Sequence, residues 1–281
     1  MSDKYPTDSG RRRFVKGVVG SAALASVGVG TAAQIDLATQ QTGAGGGITP
    51  FVGIELSSGP APRGMPYIPV EIDGEGYLRG LWPDVEEVEE EGITFEVAET
   101  ELGGQTYSTE WFQYCGRQNA SGVRPGEDQD NYFRSVDSPP YEWQADAKDG
   151  GDRIHIDDLD DYEDWGNEIG SSGVGKPAEC RWRSEDVDEG TLPVTVIRST
   201  KVQEVIDAGG PEGEWLEAAS EENVFAYLNV CTHFCCIPGY KQLGESAQFS
   251  GEDGVYCQCH QSVYDPFSPT FDTYIALPRP E

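Results

Sequence analysis

Two short stretches toward the C-terminal end constrain this chain more than anything else in it: Cys231-Thr232-His233-Phe234-Cys235-Cys236 and Cys257-Gln258-Cys259-His260-Gln261-Ser262-Val263-Tyr264. They hold five of its seven cysteines and two of its three histidines. Each offers one thiolate and one imidazole close together, Cys231 with His233 and Cys257 with His260. Each also carries a spare cysteine, Cys235 or Cys236 in the first and Cys259 in the second. A strand-like run leads into each stretch, Phe225 to Val230 and Gly254 to Tyr256. Two such strand-to-loop transitions, 20 residues apart between Cys236 and Cys257, bring two loop tips together. A small β subdomain over about 225–270 follows.

A Cys2His2 set suggests zinc first. Zinc sites of that type, however, pair Cys with Cys and His with His at wider spacings, and leave no organised surplus of thiols. One mixed Cys/His pair on each of two loops suits a two-iron cluster better, both thiolates on one iron and both imidazoles on the other. The spare cysteines are then free to cross-link the loops. A purely structural disulfide knot would leave both histidines unexplained.

At these residues the chain resembles Rieske iron–sulfur proteins, whose signature is C-T-H-x-G-C followed by C-P-C-H-G-S. The likeness is specific over about 35 residues and weak elsewhere. It implies a single two-iron, two-sulfur cluster (2Fe–2S) held by Cys231, His233, Cys257 and His260, with Cys236 paired to Cys259. It also implies an antiparallel β sandwich carrying the cluster subdomain. Three positions depart from the pattern: Cys235 and Gln261 stand where the family has glycine, and Gln258 where it has proline. A glycine often marks a backbone angle that other residues dislike, so positions 235 and 261 bear directly on loop conformation.

Replacing two of four thiolates by neutral imidazoles removes two negative charges, which makes an added electron less unfavourable and raises the reduction potential. Ser262 and Tyr264 stand where the resemblance places hydroxyl donors, to a bridging sulfide and to a ligand-cysteine sulfur. Such bonds raise the potential further and favour a respiratory over a low-potential ferredoxin type. A ligating imidazole keeps a titratable N–H on its other nitrogen. His233 and His260 are therefore the candidates to take a proton as the cluster takes an electron, which is half of quinol oxidation.

Acidic residues outnumber basic ones by 50 to 19 over 281 residues, and only six of the basic residues are lysines. The acids are dispersed among strand patterns and aromatics, so the chain does not read as disordered. A dispersed acidic surface suits a protein kept soluble at very high salt, where self-repulsion is screened, and points to a halophile. With no basic patch to meet phosphates, nucleic-acid binding is excluded.

The N-terminus reads Ser9-Gly10-Arg11-Arg12-Arg13-Phe14-Val15-Lys16 before an apolar run from Gly17 to Ala33. This resembles a twin-arginine export signal (residues 1–33), which carries folded proteins and so suits a cofactor inserted before export. Basic residues before the run predict the N-terminus inside and the rest outside. The segment is expected to remain as a membrane anchor. Residues 34–50, ending near Gly43-Ala44-Gly45-Gly46-Gly47, read as a flexible linker, and 51–281 as the head.

In the head, a mainly β fold is expected from Tyr67–Ile72, Gly92–Val97 and Leu192–Ile197, with a turn at Asp73-Gly74 and a short helix over Val202–Gly209. Residues 100–190 read as an acidic insertion, most plainly Gly150–Gly175. His155 reads as an ordinary strand histidine. Asn119-Ala120-Ser121 matches a glycosylation acceptor pattern. Cys115 and Cys180 are left either to pair with each other or to stay free. Gly59-Pro60-Ala61-Pro62 copies a proline-loop sequence of the resembled family, but it precedes the cluster motifs and reads as a coincidence. Pro278 and Pro280 are the candidates for a covering loop.

Together these readings imply the Rieske subunit of a membrane quinol-oxidising complex of the cytochrome bc type, a redox subunit that is not catalytic alone. Its partners would be a cytochrome b-type membrane subunit, quinol, and a cytochrome or blue-copper acceptor, with the head on the extracytoplasmic side. The alternative is an electron-transfer subunit of a molybdenum oxidoreductase such as an arsenite oxidase or nitrate reductase.

Overall fold

The computed structural model describes residues 46–90, 93–185 and 191–279. The export-signal and anchor readings, and nearly all of the linker, lie outside the described residues, as does Pro280. No helix among the described residues is long and apolar enough to cross a membrane.

The chain is mainly β, and every paired strand is antiparallel. It begins with the 12-residue β1 (Gly47–Ser58), then β2 (Met65–Ile68) and β3 (Val70–Ile72). Pro69 separates the last two, because it has no N–H to give a ladder. β3 turns at Asp73–Tyr77 into β4 (Leu78–Gly80), as Asp73-Gly74 predicts. A three-stranded meander follows, β5 (Val85–Glu90), β6 (Ile93–Leu102) and β7 (Gln105–Ser108). Glu86, Glu87 and Glu89 lie exposed on β5, so this charge run is the solvated part of a strand.

The middle of the chain supplies β8 (Arg134–Ser135), helix α1 (Glu142–Ala147) and β9 (Lys176–Trp182). After β10 (Leu192–Arg198) come α2 (Thr200–Ala208) and α3 (Gly210–Ala219). Ser199 caps α2 by accepting from the Lys201 N–H, and Gly209 ends it at φ 69°, a left-handed angle that glycine adopts freely. The chain then forms β11 (Val224–Leu228), β12 (Gly239–Tyr240), β13 (Val255–Cys257) and the 15-residue β14 (Ser262–Ala276).

Nine strands follow one another in hydrogen-bonded order β12-β13-β14-β1-β2-β11-β10-β9-β8. β11 is buried at all five residues, as a strand covered on both faces must be. The β1–β14 ribbon runs from Gly47 opposite Ala276 to Ser58 opposite Val263. Its register shifts between Ile54 and Glu55 and again between Leu56 and Ser58, close to Pro266 and Pro269 of β14, where two missing N–H groups favour bulges.

The acidic stretch 100–190 is not an insertion on this scaffold but part of it. Trp111, Phe112, Phe133, Ile154, Leu159, Ala178 and Trp182 are buried in the same core as the β1, β2 and β11 side chains. Trp182 alone stacks edge-on against Trp82 and Phe112. Its described acids, Glu179 excepted, sit between these anchors and are exposed or half-buried. Within it, His155 caps the 3-10 turn Ile156–Leu159: its Nδ1 accepts from the Asp157 N–H, while Asp158 accepts from the His155 N–H.

Candidate metal centre

The two motif loops leave their strands in the same way. In the first, between β11 and β12, the Cys235 N–H donates to the Cys231 carbonyl at 2.9 Å. In the second, between β13 and β14, the Gln261 N–H donates to the Cys257 carbonyl at 2.8 Å. The residues that close these turns have φ 62° at Cys235 and 63° at Gln261. Both positions where the resembled pattern has glycine thus carry a left-handed angle, at a cost of about 1–2 kcal/mol for a residue with a Cβ. Strain of this kind concentrates at functional sites.

Two disulfides fasten the first loop. Cys236 is bonded to Cys259, joining the two loops tip to tip; this is the pair implied by the resemblance. Cys115 is bonded to Cys235, so Cys115 does not pair with Cys180, which is buried and free. Cys180 is held in β9, on the far side of β10 from β11, whereas Cys115 follows the 3-10 turn Thr109–Phe112 and sits beside the first loop. There Tyr114 donates to the Val230 carbonyl at 2.9 Å. Cys115 itself has φ 54°, so both ends of the bond are left-handed.

Cys231 and Cys257 remain as free, buried thiols. They face each other. The Cys257 thiol donating to Cys231 is the main reason the Cys231 thiol is pulled down to about 5, against burial and with help from the Tyr264 hydroxyl. The same contact, together with burial, pushes Cys257 up. Cys257 also lies within 4.8 Å of the sulfurs of Cys236 and Cys259, but those two are bonded to each other and have no thiolate to offer.

The two imidazoles lie against each other. The His233 and His260 rings are 4.6 Å apart, centroid to centroid, and nearly perpendicular. His260 is exposed. The His233 Nδ1 is buried and has no hydrogen-bond partner, which is an unusual state for a polar atom and the one expected of a nitrogen meant for a metal. Phe234, 66 % exposed, stands against both rings at 4.4 and 5.0 Å. The Tyr264 hydroxyl lies 3.2 Å from the Cys231 sulfur.

A third segment closes over the loops, and it is the one at 59–63. Gly59, at φ 98°, packs so closely that a Cβ there would come within 2.5 Å of the Ser262 Cα. The Ala61 N–H donates to the fully buried Ser262 hydroxyl at 3.2 Å, and Thr232 Oγ1 donates to the Arg63 carbonyl at 2.7 Å. The segment therefore touches both motif loops, so Gly59-Pro60-Ala61-Pro62 lies against the site and not in a remote loop. Its sequence position misleads because β1, which precedes it, pairs with β14, which follows the second loop. Pro278 instead lies beside Gly46, at the opposite end of that ribbon.

Behind the first loop is a buried carboxyl. Glu179 accepts from Thr195 Oγ1 at 3.0 Å, Gln242 Nε2 at 2.9 Å and Asn229 Nδ2 at 3.2 Å. Asn229 also donates to the Pro238 carbonyl at 2.9 Å, bridging the two ends of the loop. Burial pushes the Glu179 carboxyl up to about 8 in spite of these donors.

The two loops thus bring Cys231 against Cys257 and His233 against His260, with Tyr264 beside Cys231 and Ser262 paired to Cys257 across β13 and β14. Cys115, Arg63 and Glu179 were not legible as part of the site. For Cys115 a signal existed: a surplus thiol at a left-handed position, Cys235, calls for a partner other than its neighbour's. Comparison with protein-family models, with curated proteins and with solved structures finds no match.

Proposed function

We propose that this chain is a Rieske-type iron–sulfur protein, an electron-transfer subunit of a membrane quinol-oxidising complex. The observation that carries the reading is the donor set. Two free thiols that face each other and two imidazoles that face each other, one with an orphaned buried Nδ1, lie on two matching loops that a disulfide clamps together. The residues fit a 2Fe–2S cluster held by Cys231 and Cys257 on one side and His233 and His260 on the other. Four-coordinate zinc would use the same atoms; the mixed Cys/His pair on each of two loops is what favours iron. When bound, the cluster supplies one-electron chemistry at a potential above that of four-thiolate centres.

The chain's own residues provide the rest. Tyr264 would donate to the ligand sulfur, and Ser262, whose hydroxyl accepts from the Ala61 N–H, would be the donor to a bridging sulfide. The segment 59–63 and the core behind Cys231 and Cys257 exclude water on one side. On the other side His260 is open to solvent and Phe234 offers an apolar contact. His260 is thus the imidazole placed to hold a quinol hydroxyl's proton. A Rieske-type sandwich, an N-terminal anchor, a cytochrome b-type partner, a cytochrome or copper acceptor and a high-salt habitat complete the reading. Each rests on the sequence.

The test is to isolate the exported protein and assay iron and acid-labile sulfide. Two of each per chain are expected, with a reduced-state paramagnetic signal at low temperature. In membranes, added quinol should raise that signal and a quinol-site inhibitor should alter it. Zinc in place of iron would refute the cofactor. A loaded centre indifferent to quinol and inhibitor would refute the quinol-oxidising role.

A further inference from the structure

Arg63 ends the covering segment and is only 9 % exposed. Its guanidinium carbon lies 3.9 Å from the ring centroid of Tyr274, 4.4 Å from that of Tyr114 and 4.6 Å from that of Phe51. Three aromatic faces therefore enclose one cation. Its side chain donates to the Gly64 carbonyl at 3.2 Å. Among the described residues it has no carboxylate partner within 4.0 Å. In a chain with 50 acidic residues and 19 basic ones, that isolation is chemically informative. Arg183, also buried and also without a carboxylate, differs: three carbonyl or amide oxygens, from Gly122, Asn131 and Glu127, satisfy it. Cation–π attraction, about 2 kcal/mol or more once desolvated, is what offsets the burial of Arg63.

The cage adjoins Cys231 from two directions. The Arg63 carbonyl accepts from Thr232, the next residue along. Tyr114, whose face the guanidinium covers, donates to the carbonyl of Val230, the residue before. Burial pushes the Tyr114 phenol up, and the Arg63 charge and the Cys231 thiolate then act on it in opposite senses. The phenol is thus within Coulombic reach of both. A fixed charge in surroundings that exclude water is weakly screened.

We infer that Arg63 is an electrostatic positioning residue for the centre: its uncompensated positive charge, held behind Cys231 by Phe51, Tyr114 and Tyr274, favours the reduced state and raises the reduction potential. This rests on the iron–sulfur reading above. It also explains why the cage carries no acid, since a carboxylate beside Arg63 would cancel the field at the cluster. Through its backbone the same residue seats the covering segment on the first loop.

The experiment compares wild type, R63M, R63K and Y274L by iron and sulfide content, thermal midpoint and potentiometric titration of the reduced-state signal. R63M keeps much of the volume and removes the charge. At a fixed ambient potential its ratio of reduced to oxidised centre should fall about tenfold, which for one electron is ~59 mV. R63K should stay within about twofold of wild type. Y274L opens the cage to water while keeping the charge, and should shift the ratio in the same direction as R63M by a smaller factor. Equal potentials in loaded R63M and wild type would overturn the inference, as would an R63K shift as large as that of R63M. If R63M fails to load, R63K and Y274L decide: an unchanged potential in Y274L overturns it. A wild-type protein without iron and sulfide would instead sink the iron–sulfur reading itself.

Discussion

The bond between Cys115 and Cys235 is the feature most open to a quantitative test. C115S removes it and leaves Cys235 as a free thiol. The bond spans a sequence separation of 120, for which the loss of loop entropy in the unfolded chain corresponds to about 5 kcal/mol. The Cys236–Cys259 bond spans 23 residues, corresponding to about 3.4 kcal/mol. The two loops are contiguous and not nested, so removing the first leaves the second contribution intact. Part of the loss is recovered, because an untethered Cys235 can relax from φ 62°, a conformation costing about 1–2 kcal/mol. The net expectation is a loss of about 3–4 kcal/mol. With an unfolding entropy of about 2.1 cal/mol/K per residue over roughly 230 folded residues, the midpoint should drop by about 6–8 °C. Adding C235G to C115S should change the midpoint little further, since the strain at this position is already released in C115S. Thermal unfolding followed by circular dichroism, under oxidising conditions, measures both. Non-reducing peptide mapping should show residue 115 linked to 235. A drop under about 2 °C, or a peptide linking 115 to 180, would refute the reasoning.

Glu179 makes stability depend on pH. Burial holds its folded carboxyl up at about 8, while the unfolded chain releases that proton near the ordinary value of about 4.3. The folded state thus binds the extra proton between these values. The contribution is fully present below about pH 4 and is lost as pH rises through 8. E179Q should flatten that slope, changing the stability difference between pH 4.5 and 8.5 by about 4–5 kcal/mol; parallel urea curves for the two proteins would contradict this. G59A must force a Cβ against the Ser262 backbone at a left-handed φ and should cost about 2–4 kcal/mol. A neutral G59A would mean that the covering segment is not seated as described. Y264F removes the hydroxyl 3.2 Å from the Cys231 sulfur and should lower the reduction potential while leaving iron content unchanged. An unaltered potential would remove Tyr264 from the tuning of the centre. C236S or C259S should release the two loop tips from each other and reduce iron content after purification, and full retention would make the clamp dispensable.

Local chemistry was readable from the sequence and non-local pairing was not. β10 and α2 fall where alternation and a Gly209 stop place them, because those signals act within a few residues. The two motifs announce their donors for the same reason, and the glycine pattern correctly flags positions 235 and 261 as special. The covering segment was missed because its contact depends on β1 lying beside β14, a pairing no short window contains. The stretch 100–190 was misread because its exposed acids dominate composition while Trp111, Phe133 and Trp182, few but large, decide where it packs. Cys115 is left by the sequence either paired with Cys180 or free, because its true partner, the spare Cys235, lies 120 residues away. Arg63 shows no signal at all, since a cation cage is assembled from residues 51, 63, 114 and 274.

The pairing of β1 with β14 also sets a schedule for biosynthesis. At about 5–20 residues per second, the stretch between Ser58 and Ala276 takes roughly 10–40 s to translate. Throughout that interval β1 has no partner on its β14 side, and the segment that will close over the loops has nothing to close over. The unpaired edge is an invitation to aggregate, which chaperones must cover. The donors at 231, 233, 257 and 260 emerge long after β1, so on the iron–sulfur reading metal can be enclosed only once both motif loops have been made. Whatever loads the proposed centre would act on a chain that has already passed residue 260.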